Sequence, residues 1–366
     1  MAKTFKIGLA GTGDIGRLHA KALRARDDVE LCVCRGVKSS GADTFAREFG
    51  ATVYPSYSAL LADPSVAAAD ICVPNDLHRE FVEKAAAAGK HILCEKPIAM
   101  SLEDANAMIE AARRAGVLLM IAHPLRFWPE YVKLREVILS GSLGPCRAIT
   151  MRRLLSLLIS VTGERGWRHK PERMGGAILD LQIHDLDFLN WVFGLPEQVY
   201  CAAAPSADGG LNHTYATLKF PNGTIGFVES SYLLQGDPMI FTAKAVCERG
   251  TLDYNLHLEH FSMHAMAGLK AGATESADPA SLVCYRAGEQ PQVLVRQEPN
   301  ILDAVFAREL SYFVNCAQGK TSNQLAPVED AVGALKLALA CRESVERGLP
   351  VKLHERRDDT LEVAGH

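Results

Sequence analysis

A lysine, an aspartate and a histidine stand where this chain could move a proton. Glu95-Lys96-Pro97 closes the run Gly89-Lys90-His91-Ile92-Leu93-Cys94. Ile92, Leu93 and Cys94 read as a short buried strand. Pro97 fixes φ and removes a ladder donor, so the chain must turn there. A carboxylate and an amine at the carboxyl end of a parallel strand lie where open α/β sheets hold their ligands. The second cluster is Asp180-Leu181-Gln182-Ile183-His184-Asp185-Leu186-Asp187. Asp180 and His184 are four apart and point from one helical face, with Asp187 three further on. Three ionisable groups along an apolar helix are costly to bury without purpose. They make either a capped, salt-bridged face or a catalytic face that looks across a crevice at Lys96. An Asp–His pair at this spacing could also take a metal, but two ligands alone make a poor site.

The elements that must position these groups begin at the amino end. Residues 5–10 are apolar and β-prone, Gly11-Thr12-Gly13-Asp14-Ile15-Gly16 follows, and Ile15, Leu18, Ala22 and Leu23 run on at helical spacing. Gly11 permits a tight turn, Gly13 lets a pyrophosphate approach the backbone, and Gly16 lets helix and strand pack closely. The helix N-terminus offers free N–H groups and a positive dipole end to phosphate. The competing reading is a plain tight turn. An acid for the ribose hydroxyls is expected about 20 residues past the glycines. Arg35 stands there instead, followed by Lys38, Ser39 and Ser40. Cations and hydroxyls suit a 2′-phosphate better than a bare ribose. Otherwise Arg35 is a solvated strand end and the ribose rests on Ser39 or Ser40.

Alternation continues. Helices are expected over 43–49, 57–62, 79–88 and 102–115, the last capped by Ser101 and closed by Gly116. Strands are expected over 52–54, 69–73, 92–94 and 117–122. The pattern predicts a doubly wound parallel sheet, complete by about residue 123. After a crossing segment and a helix over 130–139, strands crowd together at 145–154, 199–204, 214–220, 223–233, 240–247 and 250–254. Short turns between them imply a large, open, mostly antiparallel sheet. One helix over 176–193 interrupts it, and helices over 301–317 and 327–347 close the chain as a layer expected to return to the first domain. The expected organisation is a dinucleotide-binding domain at 1–123, a substrate and oligomerisation domain at 124–354, and a disordered tail at 355–366.

Composition narrows the function. The chain has 366 residues, 48% hydrophobic and 22% charged, which suits two globular domains. A net charge of −4 with scattered basic residues argues against a nucleic-acid partner. No apolar run approaches the roughly 20 residues that cross a bilayer, and the first residues lack a signal peptide. Ten cysteines without a Cys-x-x-Cys pattern read as thiols in a reducing cytoplasm, and none sits in a nucleophile signature. His257, His260 and His264 mix intervals of three and four in a strand-like stretch, so they read as surface or interface histidines, not a metal site. Residues 154–161 are greasy enough to border a pocket for an apolar group or a neighbouring subunit, or to continue as a longer buried strand.

Together, the glycine loop after the first strand, Pro74-Asn75 with His78, Glu95-Lys96-Pro97, Arg126-Phe127 and Asp180 with His184 resemble the Gfo/Idh/MocA oxidoreductases. Glu309 with Tyr312-Phe313, and Pro327-Val328-Glu329-Asp330-Ala331, are similar as well. The resemblance runs from about residue 5 to 353. It implies a Rossmann domain, an α/β domain with a large open sheet, and nicotinamide-dependent oxidation or reduction of a sugar, glycoside or cyclitol. It implies that Lys96 relays the hydroxyl proton and contacts cofactor, that His184 shares in proton transfer, and that Asp180 orients them or binds hydroxyls. Pro74, Asn75, His78, Glu95, Arg126, Trp167 and Arg168 would lie near the cofactor. Gln182 departs from the glycine usual between the Asp and His, and Arg35 from the frequent acid, which turns the expected cofactor to NADP, with NAD possible. Lys96, with burial lowering its pKa, or neutral His184 could be the base. Rival readings are glycoside cleavage through a transient redox cycle and a non-catalytic dinucleotide sensor. Apolar residues on both alternations of the later strands predict a homodimer or homotetramer through that sheet.

Overall fold

Apolar strands and amphipathic helices alternate through the first third of the chain. The computed structural model describes residues 4–36, 40–156, 167–206, 209–235, 239–258 and 281–353. Six strands, β1 (Phe5–Ala10), β2 (Val29–Cys34), β3 (Thr52–Tyr54), β4 (Val66–Ile71), β5 (His91–Glu95) and β6 (Leu119–Ala122), pair in parallel in the order β3-β2-β1-β4-β5-β6. The order reverses between β1 and β4, which opens a crevice at the carboxyl ends of the strands. Central strands such as β4 and β5 are buried almost throughout, because helices cover both faces. Those helices are α1 (Asp14–Arg24), α2 (Ser40–Phe49), α3 (Tyr57–Ala62), α4 (His78–Ala87) and α5 (Leu102–Ala115). Ser101 caps α5 as expected, its Oγ accepting from the Asp104 amide at 3.1 Å.

The chain leaves this sheet through α6 (Pro129–Leu139) and enters a second one at β7 (Cys146–Leu154). The helix expected over 176–193 is helical throughout, with a π-helical turn at Ile178–Gln182 that continues into α8 (Ile183–Phe193), and a separate short helix, α7 (Pro171–Met174), precedes it. Strands β8 (Gln198–Pro205), β9 (Leu211–Lys219), β10 (Ile225–Ser231), β11 (Met239–Cys247) and β12 (Gly250–Leu258) follow, then β13 (Ser281–Tyr285) and β14 (Gln292–Arg296). Helices α9 (Ile301–Ala317) and α10 (Val328–Arg347) precede a last short strand, β15 (Val351–Lys352). The nine strands lie in the order β14-β13-β12-β11-β7-β10-β9-β8-β15. All pairs are antiparallel except β7 with β10, which run parallel and set Arg153 beside Ser230 and Leu154 beside Ser231. Strands β13, β14 and β15 escape the sequence pattern, being short and partly polar.

The sheet alternates along each strand. One set of side chains is buried, against α8, α10 and the π turn among others. The other face shows Tyr200, Tyr215, Ile225, Phe227, Val246, Tyr285 and Val293 to solvent. Helix α9 packs on α1, where Lys21 pairs with Asp303 at 2.5 Å and Arg26 donates to Asn315 at 3.3 Å. Among the described residues no helix is long and apolar enough to cross a membrane. Lys38, Ser39, His260, His264, residues 157–161 of the greasy stretch, and the tail at 355–366 lie outside the described residues. His257 is exposed on β12.

Candidate active site

The glycine loop and the Lys96 turn meet in one cavity at the crevice of the parallel sheet. Gly13, Asp14, Ile15 and Gly16 line one end, and Asn75, Glu95 and Lys96 follow along the strand tips. Trp167, Arg168, Asp180 and His184 close the other side. The glycines suit a dinucleotide. Gly11 has φ +111°, and a Cβ there would overlap the Cys72 carbonyl, while a Cβ on Gly16 would overlap the Gly11 carbonyl. Gly13 faces open space, with nothing within 4 Å of a Cβ built on it, so a phosphate can approach the backbone. Thr12 belongs to this loop without lining the cavity.

Lys96 and Asp180 join the two sequence clusters. The Lys96 ammonium bonds the Asp180 carbonyl and reaches Asp180 Oδ1 at 3.0 Å, and the Lys96–Pro97 peptide bond is cis. Asp180 Oδ2 accepts from the Tyr232 hydroxyl at 2.7 Å and from Arg168 Nε at 3.2 Å. Burial resists ionisation of Asp180, but Lys96, Arg168 and Tyr232 outweigh it and hold the carboxyl well below the usual carboxylate range. Asp180, which offers Lys96 both its carbonyl and its side chain, lies in the π-helical turn, a distortion that recurs at functional sites.

His184 follows at the first turn of α8 and faces the same cavity. Its Nδ1 is buried without a hydrogen-bond partner among the described residues. Burial, with Lys96, Arg153 and His123 nearby, pushes its pKa well below the ordinary histidine value. The ring is therefore neutral at pH 7. The unfolded chain takes up this proton near pH 6.5, whereas the folded chain does so only at lower pH. Its contribution to stability is complete above that value and declines as pH falls below it. The acid limb of a kcat/KM profile governed by His184 should accordingly lie below pH 6.5. A limb centred at or above 6.5 in steady-state rates would contradict this placement.

Several expected cofactor contacts sit elsewhere. His78 is buried behind the wall, with Nδ1 2.8 Å from the Pro97 carbonyl and Nε2 3.1 Å from the Val73 carbonyl. It ties the turn after β4, including Pro74, to the Lys96 turn and so positions the wall without lining it. Asn75 does line it, its amide donating to the Met174 carbonyl at 3.0 Å. Arg126 does not reach the cavity: its guanidinium is spent on Asp187 at 2.8 and 2.9 Å, on Asp330 at 2.7 Å and on the Leu325 carbonyl. The Asp187 carboxylate thereby turns to Arg126 and not to Lys96. Arg35 ends up beyond β2 and pairs with Asp43 at 2.8 Å, both side chains being well exposed. Ser40 opens α2.

Other groups had no motif to reveal them. Tyr232 and Arg153 come from the ends of β10 and β7, whose parallel pairing no local pattern announces. Trp128, Phe241 and Phe306 add an aromatic wall. His19 had a signal, a histidine on the buried stripe of α1. Its Nδ1 sits 3.0 Å from both Asp70 oxygens and its Nε2 3.1 Å from Glu95 Oε1. Burial opposes charge on this ring, yet Asp70 and Cys72 raise its pKa well above normal. With a carboxylate at each nitrogen, His19 holds Glu95, whose Oε2 in turn accepts from the Lys96 amide at 3.2 Å.

Comparison with known families bears on this arrangement directly. Residues 5–123 match the model described as "Oxidoreductase family, NAD-binding Rossmann fold", and residues 131–253 match the "GFO/IDH/MocA C-terminal domain". The chain belongs to the Gfo/Idh/MocA oxidoreductase family. Within it, the chain is 28% identical over 371 residues to D-glucoside 3-dehydrogenase of Escherichia coli, covering 95% of this chain and 97% of that one. It is 31% identical over 227 residues to D-xylose 1-dehydrogenase (NADP(+)) 2 of Haloferax volcanii, covering 62% and 69%. Among solved structures, the fold is shared with aldose-aldose oxidoreductase from Caulobacter crescentus complexed with glycerol. That pair has a TM-score of 0.76 at 21% identity, with 96% and 100% of the chains covered. As a Gfo/Idh/MocA oxidoreductase the protein is an enzyme with a dinucleotide-binding Rossmann sheet and a large, mostly antiparallel second sheet.

Proposed function

We propose that the protein oxidises a hydroxyl, or reduces the matching ketone, of a sugar, glycoside or cyclitol. The observation that carries this reading is the meeting of Lys96, Asp180 and His184 in one cavity with an open glycine loop. The names of similar proteins, a glucoside dehydrogenase and a xylose dehydrogenase, point to the same substrate class. The bound dinucleotide would supply hydride exchange, held by Gly13, Asp14, Ile15 and Gly16 at its phosphates. Neutral His184 takes the hydroxyl proton. Lys96 donates a hydrogen bond to the reacting oxygen, and Asp180 fixes Lys96 from behind with help from Tyr232 and Arg168. Efficient transfer needs the base within roughly 2.6–3.2 Å of that proton's oxygen. Residues 1–123 serve as the cofactor domain and 124–354 as the substrate domain. A panel of polyols, aldoses and glycosides, followed by reduced-nicotinamide absorbance and by product release, tests the reading. Redox turnover with stoichiometric nicotinamide change supports it; glycoside cleavage without net change rejects it in favour of a transient redox cycle.

NADP is the preferred cofactor in this reading, because Arg35 follows β2 and the sequence continues with Lys38, Ser39 and Ser40, residue types that suit a 2′-phosphate. Asp43 competes for the Arg35 guanidinium. Arg35→Asp should reverse the preference, and calorimetric titration that finds equal or tighter NAD binding by the unaltered protein would reject it. The protein is a homo-oligomer joined through the outward face of the second sheet, where Tyr215 and Phe227 rings lie 6.0 Å apart among other exposed apolar groups. All ten cysteines are free thiols, which suits a reducing cytoplasm.

A further inference from the structure

Arg153 belongs to no motif, yet it stands in the wall of the same cavity as Lys96 and His184. It is only 3% exposed. Nε and Nη2 donate to the two oxygens of Asp185 at 3.1 and 2.9 Å, and Nη2 also reaches the Tyr131 hydroxyl at 3.4 Å. The Phe241 ring lies beside it, the guanidinium carbon 4.2 Å from the ring centroid. The group is thus clamped from behind and on one face. Nη1, with two N–H donors, bonds to no described residue, and it is not among the buried unpartnered atoms. A clamped guanidinium with one donor edge left over is suited to a planar anion.

Local charge points the same way. Around the substrate end, Lys96, Arg153 and Arg168 face Asp180 and Asp185, because Lys96 and Arg168 share the single Asp180 carboxylate. His184 is neutral there. Glu95, the next carboxylate along the wall, turns to His19 on α1, on the glycine-loop side. Among the described residues, these three cations are hydrogen-bonded to only two carboxylates, and Asp14, on the glycine-loop side, adds a longer-range attraction to Arg168. A neutral polyol could accept hydrogen bonds from Nη1, but it would bring no negative charge to the guanidinium. An anionic substituent does both.

We infer that Arg153 docks a carboxylate carried by the substrate, so that the enzyme acts on an acidic sugar or its glycoside in preference to the neutral counterpart. This deepens the oxidoreductase reading of the same cavity and rests on it. Asp185 and Tyr131 are positioning residues for Arg153, and Phe241 keeps its plane fixed.

The test compares an alkyl glucoside with the matching glucuronide, which differ only in replacing a hydroxymethyl by a carboxylate. Initial rates with the unaltered protein should give a kcat/KM at least tenfold higher for the glucuronide. Binding is read separately by fluorescence of Trp128 and Trp167, which line the cavity. Arg153→Gln combined with Asp185→Asn removes both charges of the clamp and keeps a polar pair, so folding can be verified by its melting curve. This double variant should weaken glucuronide binding at least tenfold more than it weakens glucoside binding. Preference of the unaltered protein for the glucoside overturns the inference and leaves the oxidoreductase reading standing. Equal loss of both ligands in a folded double variant also overturns it. Tight, Arg153-dependent glucuronide binding with no nicotinamide turnover on any substrate supports the docking role and sinks the redox reading instead.

Discussion

Replacing Lys96 with alanine is expected to slow turnover by about a hundredfold to ten-thousandfold, the usual cost of losing acid–base help. That range corresponds to about 3–5 kcal/mol of barrier. The change removes the hydrogen-bond donor that meets the reacting oxygen. It also leaves the buried Asp180 carboxylate with Tyr232 and Arg168 as its partners among the described residues. His184→Ala should lose a similar factor through the other half of the pair. Both variants should keep cofactor affinity, because the glycine loop is built from a separate strand and helix. The measurement is kcat beside cofactor Kd for each variant. Near-normal kcat in both would remove the proposed mechanism. A common failure to bind cofactor would mean that the two residues hold the wall together and do not move the proton. A Lys96→Arg variant separates charge from chemistry: it preserves the ion pair with Asp180 but displaces the donor, so turnover should stay low while stability recovers.

What the sequence disclosed and what it hid divide along a physical line. Local geometry was legible. The glycine turn, the Ser101 cap and the parallel alternation depend on neighbours within a few residues, and the structure places them as read. The Lys96–Asp180 meeting was legible as chemistry, since two costly polar clusters in apolar settings imply a common crevice. Its means were not. A regular helix would show Asp180 and His184 on one stripe, whereas in the π turn the Asp180 carbonyl itself meets Lys96. Arg153 and Tyr232 were invisible because each reaches the cavity from the end of a strand whose neighbour is remote in the chain. Only the parallel register of β7 with β10 brings them together. The opposite error arose at Asp187 and Arg126. Both have residue types that suit a site, and both are consumed by each other. Sequence spacing can find charges that are expensive to bury, but it does not say whether a ligand or another side chain repays them.

That distinction makes Arg126 the position where stability, not catalysis, should respond. Arg126 is 1% exposed, and its two bonds to the fully buried Asp187 make a bidentate pair. A third arm reaches Asp330 on α10, and the guanidinium carbon lies 5.2 Å from the centre of the Trp191 ring on α8. One side chain therefore links the segment that leaves the first sheet to two helices behind the second. Arg126→Met would leave Asp187 ionised in the interior without its main partner, a change that typically costs about 3–5 kcal/mol. The melting temperature should fall by on the order of 10 °C. Adding Asp187→Leu removes the stranded charge and should recover much of the loss, as apolar replacement of a whole buried pair often does. Cofactor affinity at a temperature where the single variant is folded should remain within about threefold of normal, since Arg126 does not line the cavity. Thermal melts of the single and double variants, with dinucleotide titrations alongside, decide between the two roles. A single variant that melts normally but binds cofactor tens of times more weakly would return Arg126 to the cofactor site and refute its assignment as a strut.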